Sequence, residues 1–199
     1  MISSRNRYYL TSFIAGGCLM AMEILVAKLI GPYFGASLYV WAATIGTTLI
    51  GLATGYYYSG MLTEKQGLSK KLFFITVITG GYILVLPVFS GLVMDLLMDL
   101  EVKTGIIIST LIFNFPLFFL FGLFSPLIIE LISKLDSRNA GNTAGFIYGL
   151  STVSGVIFML ILGVYLLPNF NMYPLVYGCG VLLILTSLTY YLKSDKIEE

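Results

Sequence analysis

Residues 21–41 read AMEILVAKLIGPYFGASLYVW, and this stretch decides how the chain folds. An apolar run ends here, a Gly-Pro pair interrupts it, aromatics crowd the interruption, and a second apolar run begins. Glu23 and Lys28 sit near the end of the first run. Outward from this point the same pattern repeats. Of 199 residues, 58% are hydrophobic and 11% charged, none is histidine, and the mean hydropathy is +0.94. Soluble domains carry roughly 25% charged residues, so water could not wet this surface. The apolar runs each approach the roughly 20 residues that a helix needs to cross a bilayer. They lack the period-two alternation of barrel strands. The expected fold is all-α, an integral membrane six-helix bundle forming one transmembrane domain over 1–199. A net charge of +1 with no basic stripe gives no footprint for nucleic acid.

The spans are expected at about 8–30, 38–60, 72–94, 105–130, 143–167 and 174–192. Arg5 and Arg7 before an apolar run resemble a signal peptide, but the run continues to Ile30 without a small-x-small cleavage site. It reads as a retained span. With the N-terminus inside, Arg5, Arg7, Lys65, Lys70, Lys71, Lys134, Arg138, Lys193 and Lys196 fall on one side, against Lys28 and Lys103 on the other. The positive-inside rule then places both termini in the cytoplasm of a multi-pass plasma or inner membrane protein. Tyr8, Tyr9 and Tyr56 to Tyr58 fall at the inner boundary, and Tyr33, Tyr39, Trp41 and Tyr173 at the outer one, where aromatic rings suit the headgroup layer. Cys18 is expected in the inner half of its span and Cys179 in the outer part of another. That offset disfavours a disulfide and makes both packing residues.

Small residues mark where helices meet. Gly51 and Gly55 form a Gly-x-x-x-Gly pair, and Gly141, Gly145 and Gly149 recur every fourth residue. Such rows let helix backbones approach closely where lipid supplies no hydrophobic drive. They fit contacts inside one bundle and contacts with a second copy equally well.

Glu23 lies in the outer half of the first span. A carboxylate near a helix centre costs about 2.5–3.5 kcal/mol on insertion scales, so it must be protonated, paired, or turned to water or protein. Lys28 sits about 140° around the helix and is a poor partner; it snorkels outward. Two readings stand: a functional intramembrane acid, or a structural acid bonded to a hydroxyl of a neighbouring helix. Asn114, Pro116, Ser125 and Pro126 interrupt the fourth span. Proline frees carbonyls that only protein or water can satisfy at membrane depth, so this span is either simply kinked or broken at a binding site. Asp95, Asp99 and Glu101 make an acidic outer loop, and Glu130 with Lys134 has the spacing of a helix ion pair.

The loop after the second span reads Gly60-x-x-x-Glu64-Lys65-x-Gly67-x-x-Lys70-Lys71. It resembles the signature between the second and third helices of major facilitator transporters, with Glu for Asp and the basic pair one residue late. The longer pattern Glu23, Lys28-Leu29, Pro32, Gly35, Ser37, Trp41, Gly51, Gly55, Gly60, Glu64, Lys65 resembles the N-terminal membrane module of membrane-bound spermidine synthase-like proteins. Lys28 stands where that family more often has Arg. Residues 137–168 resemble the module's second Gly-rich portion. The resemblance implies a half-facilitator-like bundle. The family's catalytic half has no counterpart: no Gly-rich nucleotide loop follows a strand, and no histidine exists for a triad or a zinc site. The chain is therefore expected to be no enzyme, with no catalytic residues, metal or cofactor.

Two functions follow as expectations. One is a non-catalytic anchor or assembly subunit for a separately encoded partner: a soluble synthase-like enzyme, another membrane protein, or a second copy in the bilayer. The alternative is a transporter of polyamine or another small cation, working as a dimer of six-helix halves. Its candidate substrate-binding residues are Glu23, Tyr33, Trp41 and Asn114, and its gating motif is Gly60, Glu64, Lys65 and Gly67. A lipid-acting enzyme with Glu23 as acid lacks a nucleophile.

Overall fold

A computed structural model describes residues 4–64, 66–135 and 140–191. Lys65, Arg138, Lys193 and Lys196 lie outside the described residues. Six helical stretches are long and apolar enough to cross a membrane, as the hydropathy implies, and the chain is a multi-pass membrane protein. They are built from α1 (Ser4–Phe34), α2 (Leu38–Thr63), α3 (Leu68–Leu97), α4 (Val102–Gly122) with α5 (Phe124–Leu135), α6 (Ala140–Leu160), and α8 (Met172–Tyr191). A π-helical segment, Ile161–Leu166, and a single turn, α7 (Leu167–Asn169), extend α6. Pro168 has no N–H for the carbonyl four residues back, and the ladder before it has widened by one residue. No strand occurs among the described residues.

The connections are tight because their chemistry is local. The expected Gly-Pro break is not where the first span ends. Pro32 lies inside α1, and the chain turns at Gly35, whose φ of 78° only glycine adopts without strain. Ser37 then caps α2, its Oγ accepting from the Val40 N–H at 3.4 Å. Gly67, φ 77°, makes the corresponding turn before α3. Asp95 belongs to α3, and only 98–101 separate that helix from α4.

α1 and the α4–α5 span form the centre, with 61% and 56% of their apolar windows buried; the fifth span, α6 onward, is peripheral at 17%. α2 lies along α4, α3 along α8, and α6 along α1. Glycine sets the closest of these contacts. A Cβ on Gly55 would stand 2.8 Å from the Gly122 Cα and closer still to the Phe119 carbonyl oxygen. Gly80 and Gly180 join α3 to α8, where a Cβ on either meets the other's carbonyl oxygen at 2.9–3.0 Å. Gly16 faces Ser151, and Gly155 faces Met20, between α1 and α6.

The end of the bundle holding the start of α1 is basic for a structural reason. Arg7 Nη1 donates to the Thr189 carbonyl at 2.8 Å, and Lys71 Nζ donates to the Leu62 carbonyl at 3.0 Å. Both cations complete the C-terminal turns of helices, where carbonyls lack donors and the helix dipole is negative.

The two cysteines correct an expectation. Cys18 Sγ lies 3.8 Å from the Cys179 carbonyl oxygen, and both thiols are buried and free. They are neighbours rather than offset. Arg7 meets Thr189 eleven residues below Cys18 and ten below Cys179, so both contacts belong to one antiparallel register. The last residues of α1 rise past the start of the shorter α8, and measuring depth from that end misplaced the pair.

Candidate functional site

The interrupted fourth span gathers most of the buried polar chemistry. Pro116 cannot donate to the Ile112 carbonyl. The Tyr82 hydroxyl of α3 donates to it instead, at 3.0 Å, and lies 3.2 Å from the Phe113 carbonyl oxygen. Asn114, two residues from Pro116 and so on the other side of the helix, is fully buried. Its Nδ2 donates to the Thr44 carbonyl at 3.1 Å and to the Thr47 and Thr48 hydroxyls at 3.3 and 3.4 Å. The Asn114 Oδ1 and Thr44 Oγ1 have no hydrogen-bond partner among the described residues. At the junction of α4 and α5, just before Pro126, the Ser59 hydroxyl donates to the Leu123 carbonyl at 2.9 Å. Tyr82 of α3 thus serves the carbonyl that Pro116 leaves open, and Ser59 of α2 ties down the α4–α5 junction.

Beside that junction α1, α4, α5 and α6 form a small cleft with about 10 Å³ of space for a water-sized molecule. Ser12, Gly16 and Leu19 line it from α1, Phe121 and Ser125 from the fourth span, and Ser151 from α6. Ser12 donates to the Ile147 carbonyl at 3.4 Å. The Ser125 and Ser151 hydroxyls make no hydrogen bond among the described residues. None of the three serines is distinctive alone. The signal available in the sequence was the spacing of Ser12, Gly16, Leu19 and Glu23, successive positions on one helical face.

Glu23 therefore lies on the face of α1 that lines the cleft, about 6 Å beyond Leu19 along the axis at 1.5 Å per residue. It is half-buried and makes no hydrogen bond or ion pair among the described residues. Lys28 is exposed on another face. The remaining expected substrate residues do not gather round Glu23. Tyr33 is half-buried in the last turn of α1, Trp41 is exposed in the first turn of α2, and Asn114 is committed to the α2–α4 contact.

In the facilitator-like loop, Gly60 is exposed with open space around it, Glu64 is an exposed C-cap of α2, and Gly67 makes the turn. Lys103 extends over the Tyr39 ring, 5.6 Å from its centroid. Glu130 and Lys134 pair at 3.3 Å, as their spacing implies. Gly51 and Gly55 pack on the fourth span. Gly141, Gly145 and Gly149 are exposed, and a Cβ on any of them would meet nothing within 4 Å. No family model, curated protein sequence or solved structure matches the chain.

Proposed function

We propose that this chain is a non-catalytic membrane subunit that assembles with a partner inside the bilayer, with both termini in the cytoplasm. The observation that carries the reading is the outward glycine row Gly141, Gly145 and Gly149 on the most peripheral span. The Gly-x-x-x-Gly pair of α2, Gly51 and Gly55, is consumed in the α2–α4 contact. In lipid an exposed row of this kind is a seat for another helix backbone. A second copy or a helix of another membrane protein fits it. A soluble synthase-like enzyme, which the family resemblance implies, would meet the basic end instead.

Purification in mild detergent tests this. The wild-type chain is expected to elute with a stoichiometric partner or as a dimer. The double variant Gly145→Leu, Gly149→Leu should elute as a folded monomer. A wild-type monomer, or a complex indifferent to both leucines, contradicts the proposal.

A second reading, transport of polyamine or another small cation by a dimer of six-helix halves, draws support from the interrupted fourth span and the cleft beside it. Proteoliposomes holding the wild-type chain would then take up labelled spermidine, and Glu23→Gln would stop uptake without reducing insertion. Uptake equal to that of empty liposomes removes this reading.

A further inference from the structure

We infer that one buried water is a built part of the α2–α4 contact, held between the Thr44 hydroxyl and the Asn114 side-chain carbonyl. The inference is independent of the assembly reading, which rests on α6.

Asn114 and Thr44 are both fully buried, so neither lipid nor bulk water reaches them. The neighbours of the Asn114 amide fix its orientation. Nδ2 faces the Thr44 carbonyl at 3.1 Å and the Thr47 hydroxyl at 3.3 Å. That hydroxyl gives its own proton to the Ala43 carbonyl at 2.7 Å, so toward the amide it can only accept. Turning the amide over would set Oδ1 against the Thr44 carbonyl, two acceptors face to face. Oδ1 is therefore held where it is, and there it meets no donor among the described residues.

Thr44 supplies the matching anomaly. Thr47, Thr76 and Thr79 each return the hydroxyl proton to the carbonyl four residues back in their own helix. Thr44 Oγ1 makes no such bond and has no other partner among the described residues. Thr48 lies one turn along the same face of α2. Its Oγ1 accepts from Asn114 Nδ2 at 3.4 Å, and its own proton goes to no acceptor among the described residues. One contact thus holds an acceptor lacking a donor and two hydroxyls with protons to give.

A water answers all three, accepting from the two threonines and donating to Oδ1, which is the usual complement of about three bonds for a buried water. The spacing suits it. Two O–H···O bonds end to end reach about 5.6 Å. Oδ1 shares its amide carbon with Nδ2, which is 3.4 Å from Thr48 Oγ1, and this holds Oδ1 and that hydroxyl within about one such span. The groups are all neutral, so a cation here would be a buried charge without a counter-charge. A dry contact would leave each orphaned oxygen stripped of solvent with nothing in return.

Two measurements on the full-length chain test the inference. Thr44→Val keeps the side chain's shape and removes the hydroxyl. Its unfolding equilibrium constant in bicelles should rise about 3-fold, the worth of a typical interhelical hydrogen bond in a membrane. In a dry contact, deleting an unmet hydroxyl leaves stability unchanged or raises it, and that result overturns the inference. Wild-type stability should be the same in sodium, potassium and choline chloride; dependence on the cation overturns the inference in favour of a bound ion. The second measurement is a density map of the wild-type protein, from lipidic-mesophase crystals, at a resolution that shows ordered waters. It should place one within about 3.2 Å of both Thr44 Oγ1 and Asn114 Oδ1. Direct contact between the two oxygens, or no density joining them, overturns the inference even if Thr44→Val loses stability, and the map decides alone if that variant does not fold.

Discussion

Tyr82→Phe removes one oxygen, and the structure says what that oxygen does. Its hydroxyl donates to the Ile112 carbonyl, which Pro116 has left without its helical donor. An unmet buried acceptor costs about 1–3 kcal/mol in soluble proteins. Interhelical hydrogen bonds in membranes average about 0.6 kcal/mol and reach about 1.7, because the unfolded chain in lipid also finds partners. The expected loss is thus about 1–1.5 kcal/mol, toward the upper part of the membrane range since Pro116 withholds the helical donor from Ile112. Pro116→Ala supplies the missing N–H. In that background Tyr82→Phe should cost no more than about 0.5 kcal/mol, so the two positions should couple by about 1 kcal/mol. Reversible unfolding of the four proteins, by detergent titration in mixed micelles or by steric trapping in bicelles, measures the cycle. Equal costs with and without the proline would refute the account of how α3 repairs α4.

The glycine contacts give a matched pair: Gly55→Ala must force α2 from α4 and should cost about 1–3 kcal/mol, whereas Gly145→Ala, in the dissociated chain, enters open space and should shift its stability by less than about 0.5 kcal/mol. Unfolding titrations of the two variants check this, and equal losses would contradict the packing described. Oxidation with copper phenanthroline should link Cys18 to Cys179 within one chain, seen as a joined peptide by mass spectrometry; its absence would contradict the α1–α8 register, because a disulfide needs Cα atoms within about 7 Å. Glu130→Gln should leave stability within about 0.5 kcal/mol, since its pair with Lys134 is 39% and 57% exposed, and a larger loss in the same titration would mean that Glu130 holds something else.

The number and type of elements were legible because oil and water sort residues over twenty positions at a time. The first span's boundary was not. Pro32 looked like its end, yet a proline in the final turn leaves only one carbonyl unserved, and the helix runs on until Gly35 reverses the chain. Asn114 stood out as polar in an apolar run, and the structure explains it as the bond between α2 and α4 rather than as a site shared with Glu23. Ser12, Ser125 and Ser151 come from three distant parts of the chain, and only their helices' packing brings them to one hollow. The cysteines show the same limit from the other side. Hydropathy gives each span's length but not how far one helix slides along another. That slide placed Cys18 against Cys179.

The bundle's most extensive contacts join segments that leave the ribosome at different times: α2 waits for α4, α1 for α6, and α3 for α8. Each waiting helix presents a face meant for protein to whatever surrounds it during synthesis. The glycine seats on α2 and α3, at Gly55 and Gly80, stay vacant until their partners insert. Synthesis of this protein therefore passes through a stage in which several spans are inserted but unmatched, and an insertase or chaperone that shelters them would govern its yield more than the stability of the finished bundle does.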